Sequence, residues 1–487
     1  MKRWVRRLVL LALVAGWFAT AYWQSVKPLP QGTHVAGAVC PVAASQVSFI
    51  PDITAADAYG RQVVSQGIFD ETLKVVRGAR HFIVLDYALI GAGEGTPQRR
   101  IAGELTDALL EARRTQPDLK VLLVTDPVNE RYGASRAPEL DLLRAAGVEV
   151  VLARLDTLRD SNFLYSSLWR LGFSWWDGPR GPLGFQLREL NFKADHRKVV
   201  IADDGGDALV AVVGSANPKD AQSGWSNVAT RVAGDSLGSL LASELAIARF
   251  SGWTGNSEPY LRAADPHAPE QCSRGLAAAS VPAPLTADTA RVQVLTEGTL
   301  RAALLSHAEA SGRGDAIDIA MFGFADRGVI EALLDASRRG VVVRLILDPS
   351  EDATTVLPTG LPNQPAASEL VARSAGAVRV RWYRTHGERY HGAVALFSGR
   401  QNLWMTVGSA NLTRRGLDDH NLEANLAIEV LRDAPLAAQA QGYFDTLWSN
   451  RAALGIEYTA DFAAFADSRQ TDYWLYRLLE GTGFTAF

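Results

Sequence analysis

Residues able to carry out phosphoryl chemistry cluster in one stretch of the chain, HRKVVIADDGGDALVAVVGSAN. His196 and Lys198 lie two positions apart, which on an extended strand places both side chains on one face. Asp203 follows an apolar run, and a second apolar run leads to Ser215 and Asn217. An imidazole can attack phosphorus or donate a proton, and the other groups can hold phosphoryl oxygens. The stretch therefore predicts a phosphoryl site at the ends of neighbouring strands.

The same pattern occurs a second time, nearer the carboxyl end. His391 is followed by an apolar run and a second GSAN motif, which contains Ser409 and Asn411. The interval from the histidine to the glycine of the motif is 18 residues in the first copy (196 to 214) and 17 in the second (391 to 408). A lone His-x-Lys on a strand is usually a pair of exposed side chains without a function. The second histidine with its own GSAN motif instead favours two related halves.

The spacing HxKxxxxD followed by GSxN resembles the signature of the phospholipase D superfamily, over nearly all of the chain beyond residue 40. In that family two such halves face each other, so that both histidines meet at one phosphodiester. The resemblance implies that His196 attacks phosphorus to form a phosphohistidine and that His391 is the general acid and base. It also implies catalytic roles for Lys198 and Asp203. The phosphate ligands that it implies are Ser215, Asn217, Ser409 and Asn411.

Each imidazole needs a partner on its other nitrogen to fix the tautomer. Glu423 lies twelve residues after Asn411, where superfamily members keep an acid that often serves the histidine of the opposite half. The resemblance therefore implies that Glu423 orients His196. The corresponding first-half region, WSNVATRV, offers Asn227 but no acid. An amide can orient His391 but stabilises its charged form less strongly.

The second copy departs from the family pattern at two positions. Ala393 stands where the first copy has lysine, and Ser398 where it has aspartate. In a water-poor cleft, loss of such a donor commonly costs ~3 kcal/mol, or about a hundredfold in rate. Arg389, Arg414 or Arg415 could compensate. The alternatives are an asymmetric working enzyme, a weakened or substrate-restricted one, and a deliberately altered copy. The retained histidines and GSAN motifs favour activity.

Outside the motifs, both halves repeat one order of elements. Apolar strands alternate with amphipathic helices, and the runs KVLLVTDP and VRLILDP end at Pro127 and Pro349. Continuous apolar strands in a β-α-β-α-β order predict an α/β fold with a largely parallel sheet covered by helices on both faces. The resemblance implies two α-β-α sandwich halves related by a pseudo-twofold axis. The expected regions are an N-terminal anchor or signal (1–30), a first half (40–272), an Ala/Pro-rich linker (273–290) and a second half (291–487).

The first half carries an aromatic insertion. Asp126 and Asp348 differ by 222 positions and the two histidines by 195, so the first half has 27 more residues between these landmarks. The extra sequence, NFLYSSLWRLGFSWWDGPRGPLGF, contains Trp169, Trp175 and Trp176. Such a loop beside a catalytic cleft suits docking onto lipid or capping of an acyl chain. Packing over the core explains the aromatic residues equally well, and both interpretations stay open.

The N-terminus combines four basic residues with an apolar run at residues 8–23. This pattern is typical of a secretory signal or a membrane anchor. Ala19-Thr20-Ala21 offers a cleavage site, whereas Trp17, Tyr22 and Trp23 resemble an interfacial aromatic belt. We favour an uncleaved anchor in a bacterial inner membrane, with the basic end inside and the body in the periplasm or exported.

The composition is sufficient for two sizeable hydrophobic cores, and it predicts little affinity for polyanions. The 487 residues are 47% hydrophobic with a net charge of −4, and the missing basic excess disfavours nucleic-acid binding. Cys40 and Cys272 bracket the first half, and they form either a disulfide or two unrelated buried thiols. No cysteine–histidine cluster has zinc spacing. We therefore expect no metal and no cofactor.

The leading functional hypothesis is a membrane-tethered phospholipase D or cardiolipin-synthase-like transferase. It implies a phospholipid substrate, a membrane surface, no nucleic acid, and no obligate protein partner, since one chain forms the whole active site. The alternatives are an exported nuclease or phosphodiesterase of the same fold and a catalytically weakened phospholipid-binding protein.

Overall fold

The computed structural model of the chain describes residues 2–57, 59–94, 97–173, 182–206, 208–261, 285–350, 360–451, 455–467 and 469–485. Its helices are Lys2–Val26 (α1), Ile68–Gly78 (α2), Ile101–Thr115 (α3), Pro138–Ala145 (α4), Phe163–Gly172 (α5), Pro182–Glu189 (α6), Gly238–Phe250 (α7), Glu258–Leu261 (α8), Thr299–Ala310 (α9), Arg327–Arg338 (α10), Asn363–Arg373 (α11), Arg414–Leu417 (α12), Pro435–Ser449 (α13) and Gln470–Thr482 (α14). Its strands are Cys40–Ala43 (β1), Val47–Ala56 (β2), Gln62–Ser65 (β3), Phe82–Tyr87 (β4), Lys120–Thr125 (β5), Glu149–Leu152 (β6), Lys198–Asp203 (β7), Leu209–Gly214 (β8), Asn227–Ala233 (β9), Thr289–Thr296 (β10), Ala316–Met321 (β11), Val342–Leu347 (β12), Val378–Tyr383 (β13), Ala393–Ser398 (β14), Asn402–Gly408 (β15), Ala424–Leu431 (β16) and Thr459–Asp461 (β17).

Two mixed sheets contain the same seven-strand order. The first runs β3-β2-β9-β8-β7-β4-β5-β6, and the second runs β1-β10-β16-β15-β14-β11-β12-β13-β17. β4, β5 and β6 are parallel, as are β11, β12 and β13, while the remaining ladders are antiparallel. The predicted α/β class is confirmed, but the expectation of a largely parallel sheet is wrong. Short turns join β7 to β8 and β14 to β15, and only a long crossover can make neighbouring strands parallel.

One hydrophobic core joins the two halves. It combines side chains from both sheets, such as Val199 and Val213 with Val407 and Leu426, and it includes residues of α7 and α13. Two further cores fill the outer faces of the sheets. Helices α2, α3 and α4 cover the first sheet, and α9, α10, α11 and α14 cover the second. The shared core sets the two sheets at one fixed interface, and this interface carries the site.

The N-terminal strand belongs to the second sheet, although its sequence position precedes the first half. β1 pairs antiparallel with β10, with Cys40 opposite Val292, whereas β2 pairs with β9 of the first sheet. The region expected as the first half, residues 40–272, therefore begins with a strand of the second sheet. Cys40 is disulfide-bonded. Cys272 and most of the expected linker lie outside the described residues, and β10 begins at Thr289 within that linker.

Helix α1 leaves most of its apolar surface exposed. Residues 3–26 are long and apolar enough to cross a membrane by length and composition, a test that a signal sequence also passes. The helix contacts α5 of the insertion, where the Trp17 indole donates to the carbonyl of Leu164 at 3.1 Å. The described residues of the insertion form α5 and the start of α6. Trp169 lies on α5, and Trp175 and Trp176 lie outside the described residues.

Candidate active site

Each candidate catalytic histidine lies two residues before a central strand of its sheet. His196 precedes β7, which pairs with β4 and β8, and His391 precedes β14, which pairs with β11 and β15. Backbone hydrogen bonds between the halves hold both positions. The amide of His196 donates to the carbonyl of Leu422 at 2.9 Å, and that of His391 donates to the carbonyl of Ser226 at 2.7 Å. The two acceptors directly precede Glu423 and Asn227 in the sequence. Each bond therefore brings a histidine next to one of these two residues.

The two imidazole rings meet across this interface. Their centroids are 6.5 Å apart, and their planes are inclined by 73°. Trp225 and Phe322 border His391, with ring centroids at 5.5 and 4.8 Å. Reacting atoms approach to roughly 3–3.5 Å before bond formation. The separation of the rings therefore suits one tetrahedral phosphoryl group between them.

Glu423 fixes the ring of His196. Nδ1 of His196 lies 3.0 Å from both carboxylate oxygens of Glu423. Burial raises the pKa of Glu423, but His196, Lys198 and a hydrogen bond from the Ser409 hydroxyl outweigh it, so the pKa is lowered. Burial also lowers the pKa of His196, and Glu423 opposes that shift. The Nδ1 proton therefore points to a carboxylate, and Nε2 keeps its lone pair.

Asn227 fixes the ring of His391 in the same way without a charge. Nδ1 of His391 lies 3.1 Å from Oδ1 of Asn227, and the Ser215 hydroxyl donates to the same oxygen at 3.0 Å. Nδ2 of Asn227 donates to the carbonyl of Trp225 at 3.2 Å, which sets the amide orientation. Burial lowers the pKa of His391 well below its usual value, and the positive charge of Lys198 adds to this shift. Both effects favour the neutral form of the His391 ring.

Lys198 lies close to His196, with its side chain buried. Nζ donates to the carbonyl of His196 at 2.7 Å. Burial lowers the pKa of Lys198 to about 8, although Glu423 and other carboxylates oppose the shift. Ala393, at the matching start of β14, is packed in the apolar core of the second half. A cation therefore stands at this position in the first half and a methyl group in the second.

The two GSAN serines contact the groups that orient the histidines. Ser215 and Ser409 are each 1% exposed, and their hydroxyls donate to Asn227 and Glu423. Both hydroxyls thus contact the groups that orient the histidines, and the phosphate-binding roles expected for these serines stay predictions. Asn217 accepts a hydrogen bond from the amide of Leu89, which follows β4, and donates to Gln222 in its own loop. Its expected phosphate-binding role stays a prediction.

Asn411 differs from the other three GSAN side chains. It is half-buried, and its Oδ1 accepts a hydrogen bond from the amide of Gly323 at 3.2 Å. Gly323 follows Phe322, the ring that borders His391. A phosphate-binding role for Asn411 stays a prediction.

Asp203 does not join the histidines. It ends β7, five residues beyond Lys198, which at about 3.3 Å per residue is roughly 17 Å away. Its carboxylate is buried and accepts four backbone hydrogen bonds, from the amides of Arg80, His81, Phe82 and Gly205. This placement favours a structural role for Asp203 over the expected catalytic one, because an extended strand carries the two ends of the motif to its opposite ends.

Arg415 supplies a second buried cation beside His196. It is 8% exposed, and its guanidinium donates to Oδ1 of Asn421 at 3.1 Å. The amide nitrogen of Asn421 in turn donates to Glu423 at 3.3 Å. Burial lowers the pKa of Arg415 to about 10, and the charge of Glu423 opposes this shift. The side chain therefore stays charged at neutral pH, next to the carboxylate that holds His196.

The other two candidate arginines lie in different surroundings. Arg389 stacks over the rings of Trp225 and Phe322, at 5.2 and 5.9 Å from their centroids. Both rings border His391, and the charge of Arg389 lowers the pKa of that histidine. Arg414 points away from the site and donates to backbone carbonyls near the end of α14. Arg389 and Arg415 therefore lie near the imidazoles, and Arg414 does not.

Two aspartates that position the histidines were recognised in the sequence only as landmarks. Asp126 accepts a hydrogen bond from the amide of Asp195 at 2.8 Å, and Asp348 accepts one from the amide of Tyr390 at 2.9 Å. Each donor directly precedes a histidine. Burial raises the pKa of Asp126 to about 7. The signal was the Asp-Pro pair repeated at the end of corresponding strands, since a repeated polar residue at a strand end indicates a shared task.

A buried ion network lies directly behind His196. Arg197 is fully buried and donates to Glu244 at 3.0 Å and to Glu297 at 2.7 Å. Glu297 also accepts the backbone amide of Glu423 at 3.2 Å. The network therefore ties the histidine-bearing segment of the first half to the acid-bearing segment of the second. Among the described residues, no group of three or more His, Cys, Asp or Glu side chains could hold a metal ion.

Comparison with known proteins finds a matching family model and solved structures of similar fold. Residues 303–448 match the family model described as "Cardiolipin synthase, PLD-like domain". No curated protein sequence matches the chain. The fold is similar to that of phosphatidylserine synthase from Haemophilus influenzae Rd KW20, with 13% identity, a TM-score of 0.55, and coverage of 92% of this chain and 95% of that one.

Two further solved structures match the chain with TM-scores below 0.5. Polyphosphate kinase from Porphyromonas gingivalis is 14% identical, with a TM-score of 0.43, over 96% of this chain and 56% of that one. Nuc from Salmonella typhimurium, a phospholipase D family member, is 19% identical, with a TM-score of 0.27, over 35% of this chain and 97% of that one.

Proposed function

Because the chain is a phospholipase D superfamily protein, we propose that it cleaves or transfers the phosphodiester of phospholipid head groups through a phosphohistidine. The observation that carries this function is the meeting of His196 and His391, with centroids 6.5 Å apart and each Nδ1 held by the opposite half. We also propose that an approximate twofold axis relates the two halves. One chain thus forms the whole site, without an obligate protein partner.

His196 is the proposed nucleophile. Nε2 attacks phosphorus, the P–N bond forms, and the bond from phosphorus to the leaving alcohol oxygen breaks. His391, protonated when the anionic substrate arrives, gives its proton to that oxygen. Water or a second alcohol then loses a proton to His391 and attacks the phosphohistidine, which breaks the P–N bond. Glu423 stabilises the positive imidazole formed on His196, and this favours His196 over His391 as the nucleophile.

The charge on the phosphoryl oxygens requires cations close to both rings. Lys198 is the proposed cation of the first half that contacts these oxygens. In the second half, Arg415 or Arg389 takes the part of the lysine that Ala393 replaces, because both lie near the imidazoles. An asymmetric but active enzyme is therefore favoured over a catalytically weakened phospholipid-binding protein.

Support for a lipid substrate comes from the N-terminal helix and from the relatives. α1 is long and apolar enough to span a bilayer, and the matched family and the structural relative are named as cardiolipin and phosphatidylserine synthases. We place the protein in the bacterial inner membrane, with the basic N-terminus inside and the catalytic body in the periplasm. The net charge of −4 disfavours a nucleic-acid substrate.

The test is a paired assay of the full chain. Labelled phosphatidylglycerol with added ethanol is incubated in parallel with labelled single-stranded DNA. Phosphatidylethanol that disappears in the His196→Ala variant supports the lipid enzyme. DNA shortening supports the nuclease, and lipid binding without product supports the non-catalytic alternative.

A further inference from the structure

Asp419 lies in the loop between α12 and β16, which carries the partner of His196. It precedes Glu423 by four residues and is buried. Its backbone is left-handed, with a φ of 64°. Residues other than glycine adopt this conformation rarely, and they keep it where the surrounding contacts hold them in place. The contacts of the Asp419 carboxylate therefore help to set the path of the loop toward Glu423.

Three donors from three separate parts of the chain hold the carboxylate of Asp419. The amide of Gly298, before α9, donates to Oδ1 at 2.8 Å. Nδ1 of His34, in the segment between α1 and β1, lies 2.9 Å from the same oxygen. Nη1 of Arg159, just before α5, donates to Oδ2 at 2.6 Å. One carboxylate thus joins the second half, the N-terminal segment and the region of the insertion.

The backbone beside Asp419 also holds Glu423. The amide of Glu297 donates to the carbonyl of Glu423 at 3.3 Å, and the amide of Glu423 donates to Oε1 of Glu297 at 3.2 Å. Gly298, the next residue, approaches so closely that a Cβ atom would lie 2.8 Å from Oδ1 of Asp419. This contact therefore depends on glycine at position 298. Residues 297 and 298 hold both ends of the loop segment 419–423.

Arg159 connects Asp419 to the end of α1. Its Nε donates to the carbonyl of Lys27, the residue that follows α1, at 2.9 Å, while Nη1 donates to Asp419. A guanidinium can bridge two acceptors in this way because its donors point in fixed and different directions. Nζ of Lys27 donates in turn to the carbonyl of Asp156 at 3.0 Å. The end of α1 is therefore bonded to the same short segment that reaches Asp419.

The segment that carries His34 is fixed on the end of β10. The amide of Thr296 donates to the carbonyl of Val35 at 2.9 Å, and the amide of Val35 donates to Oγ1 of Thr296 at 2.7 Å. The amide of Gly37 donates to the carbonyl of Val294 at 2.8 Å. β10 leads directly into residues 297 and 298. His34 is therefore held beside Asp419 by backbone bonds on either side of it.

We propose that Asp419 is a positioning residue, which links the end of α1 to the active site by fixing the loop that presents Glu423 to His196. When one of its donors is lost, the left-handed loop is less restrained, and Glu423 then spends part of its time away from the imidazole. The proposal rests on the proposed function only in giving Glu423 its task during turnover.

The test compares single variants of the full chain in neutral detergent. Asp419→Asn keeps a residue type that tolerates the left-handed conformation but removes the charge that pairs with Arg159. Arg159→Gln removes the same pair from the other side. We expect each to lower kcat for phosphatidylglycerol about tenfold, the effect of losing one charge-assisted hydrogen bond, with KM little changed. Asp418→Asn is the matched control, because Asp418 pairs with Arg301 and Arg414 instead.

A second measurement needs no substrate. In the chain with isotope-labelled histidine, the Nδ1 proton of His196 gives a downfield magnetic resonance signal while a carboxylate accepts it. His196→Ala assigns this signal, and Glu423→Gln shows its position without the carboxylate. Asp419→Asn and Arg159→Gln are expected to move the signal toward that position. His34→Ala removes a donor that is 48% exposed, so this variant keeps the fold and should move both measurements in the same direction.

The outcomes separate the positioning role from the catalytic function. An unmoved signal and an unchanged kcat in all three variants overturn the proposal, and so does an equal effect of Asp418→Asn. In an active native chain, a change in only one of the two measurements also overturns it. Absence of phosphatidylethanol with the native chain, together with a signal that depends on Asp419, overturns the proposed enzyme and keeps the positioning role.

Discussion

Asn227 and Glu423 occupy equivalent positions in the two sheets. The glycine of each GSAN motif pairs with a residue on the next strand, Gly214 with Ala229 and Gly408 with Asn425. Asn227 and Glu423 each lie two residues before that paired residue. Each accepts a serine hydroxyl and the Nδ1 proton of a histidine from the other half. The geometry is shared and the charge is not, which makes the two imidazoles chemically different.

Glu423→Gln tests the charge on the nucleophile's partner. The amide can still accept the Nδ1 proton of His196, but it cannot stabilise the positive ring formed during attack. We expect kcat for phosphatidylglycerol to fall about a hundredfold, with KM little changed. Glu429→Gln, farther along β16 and paired with Arg291 at the surface, is the control. An unchanged kcat in Glu423→Gln would exclude the proposed role.

Asn227→Asp tests the acid. A carboxylate beside His391 favours the protonated ring, so the pKa of His391 should rise by about 1–3 units. Cleavage requires the protonated ring, and it is lost as pH rises through this pKa. The alkaline limb of the pH profile of kcat/KM should therefore move to higher pH. A limb that stays in place would mean that another group protonates the leaving alcohol.

Arg415→Gln tests the replacement for the missing lysine. Loss of the buried cation should lower kcat about tenfold to a hundredfold, because the phosphoryl charge then depends on Lys198 and Arg389. Arg414→Gln is the adjacent control, since Arg414 points to α14. Equal rates in the two variants would contradict a role for Arg415 in the site.

Asp203→Asn tests the structural assignment. Burial raises the pKa of Asp203, but four backbone amides outweigh it and lower the pKa. The carboxylate therefore stabilises the fold above its unfolded pKa of about 3.9, and this contribution is lost as pH falls through the lower folded pKa. At pH 7 the variant should lose about 1–3 kcal/mol of unfolding free energy in denaturant titrations, and the difference should shrink in acid. Lost turnover in a fully folded variant would instead restore a catalytic role.

Several features of the site were predictable from local patterns. The first HxK motif, the second histidine at a matching interval and the two GSAN motifs located both histidines. The region after each GSAN motif then singled out Glu423 and Asn227. The repeated order of elements indicated two matching halves. These features are readable because the two-residue period of a strand and the punctuation of turns are local properties of the chain.

The tertiary structure decided what local patterns leave open. Which residue orients which histidine depends on backbone bonds between halves almost two hundred positions apart, and the packing of both sheets in one core sets those bonds. Strand direction placed Asp203 at the opposite edge from Lys198, and burial turned the serines toward the orienting groups. Sequence spacing determines where a side chain lies along its own strand; only the docking of two surfaces determines what it meets.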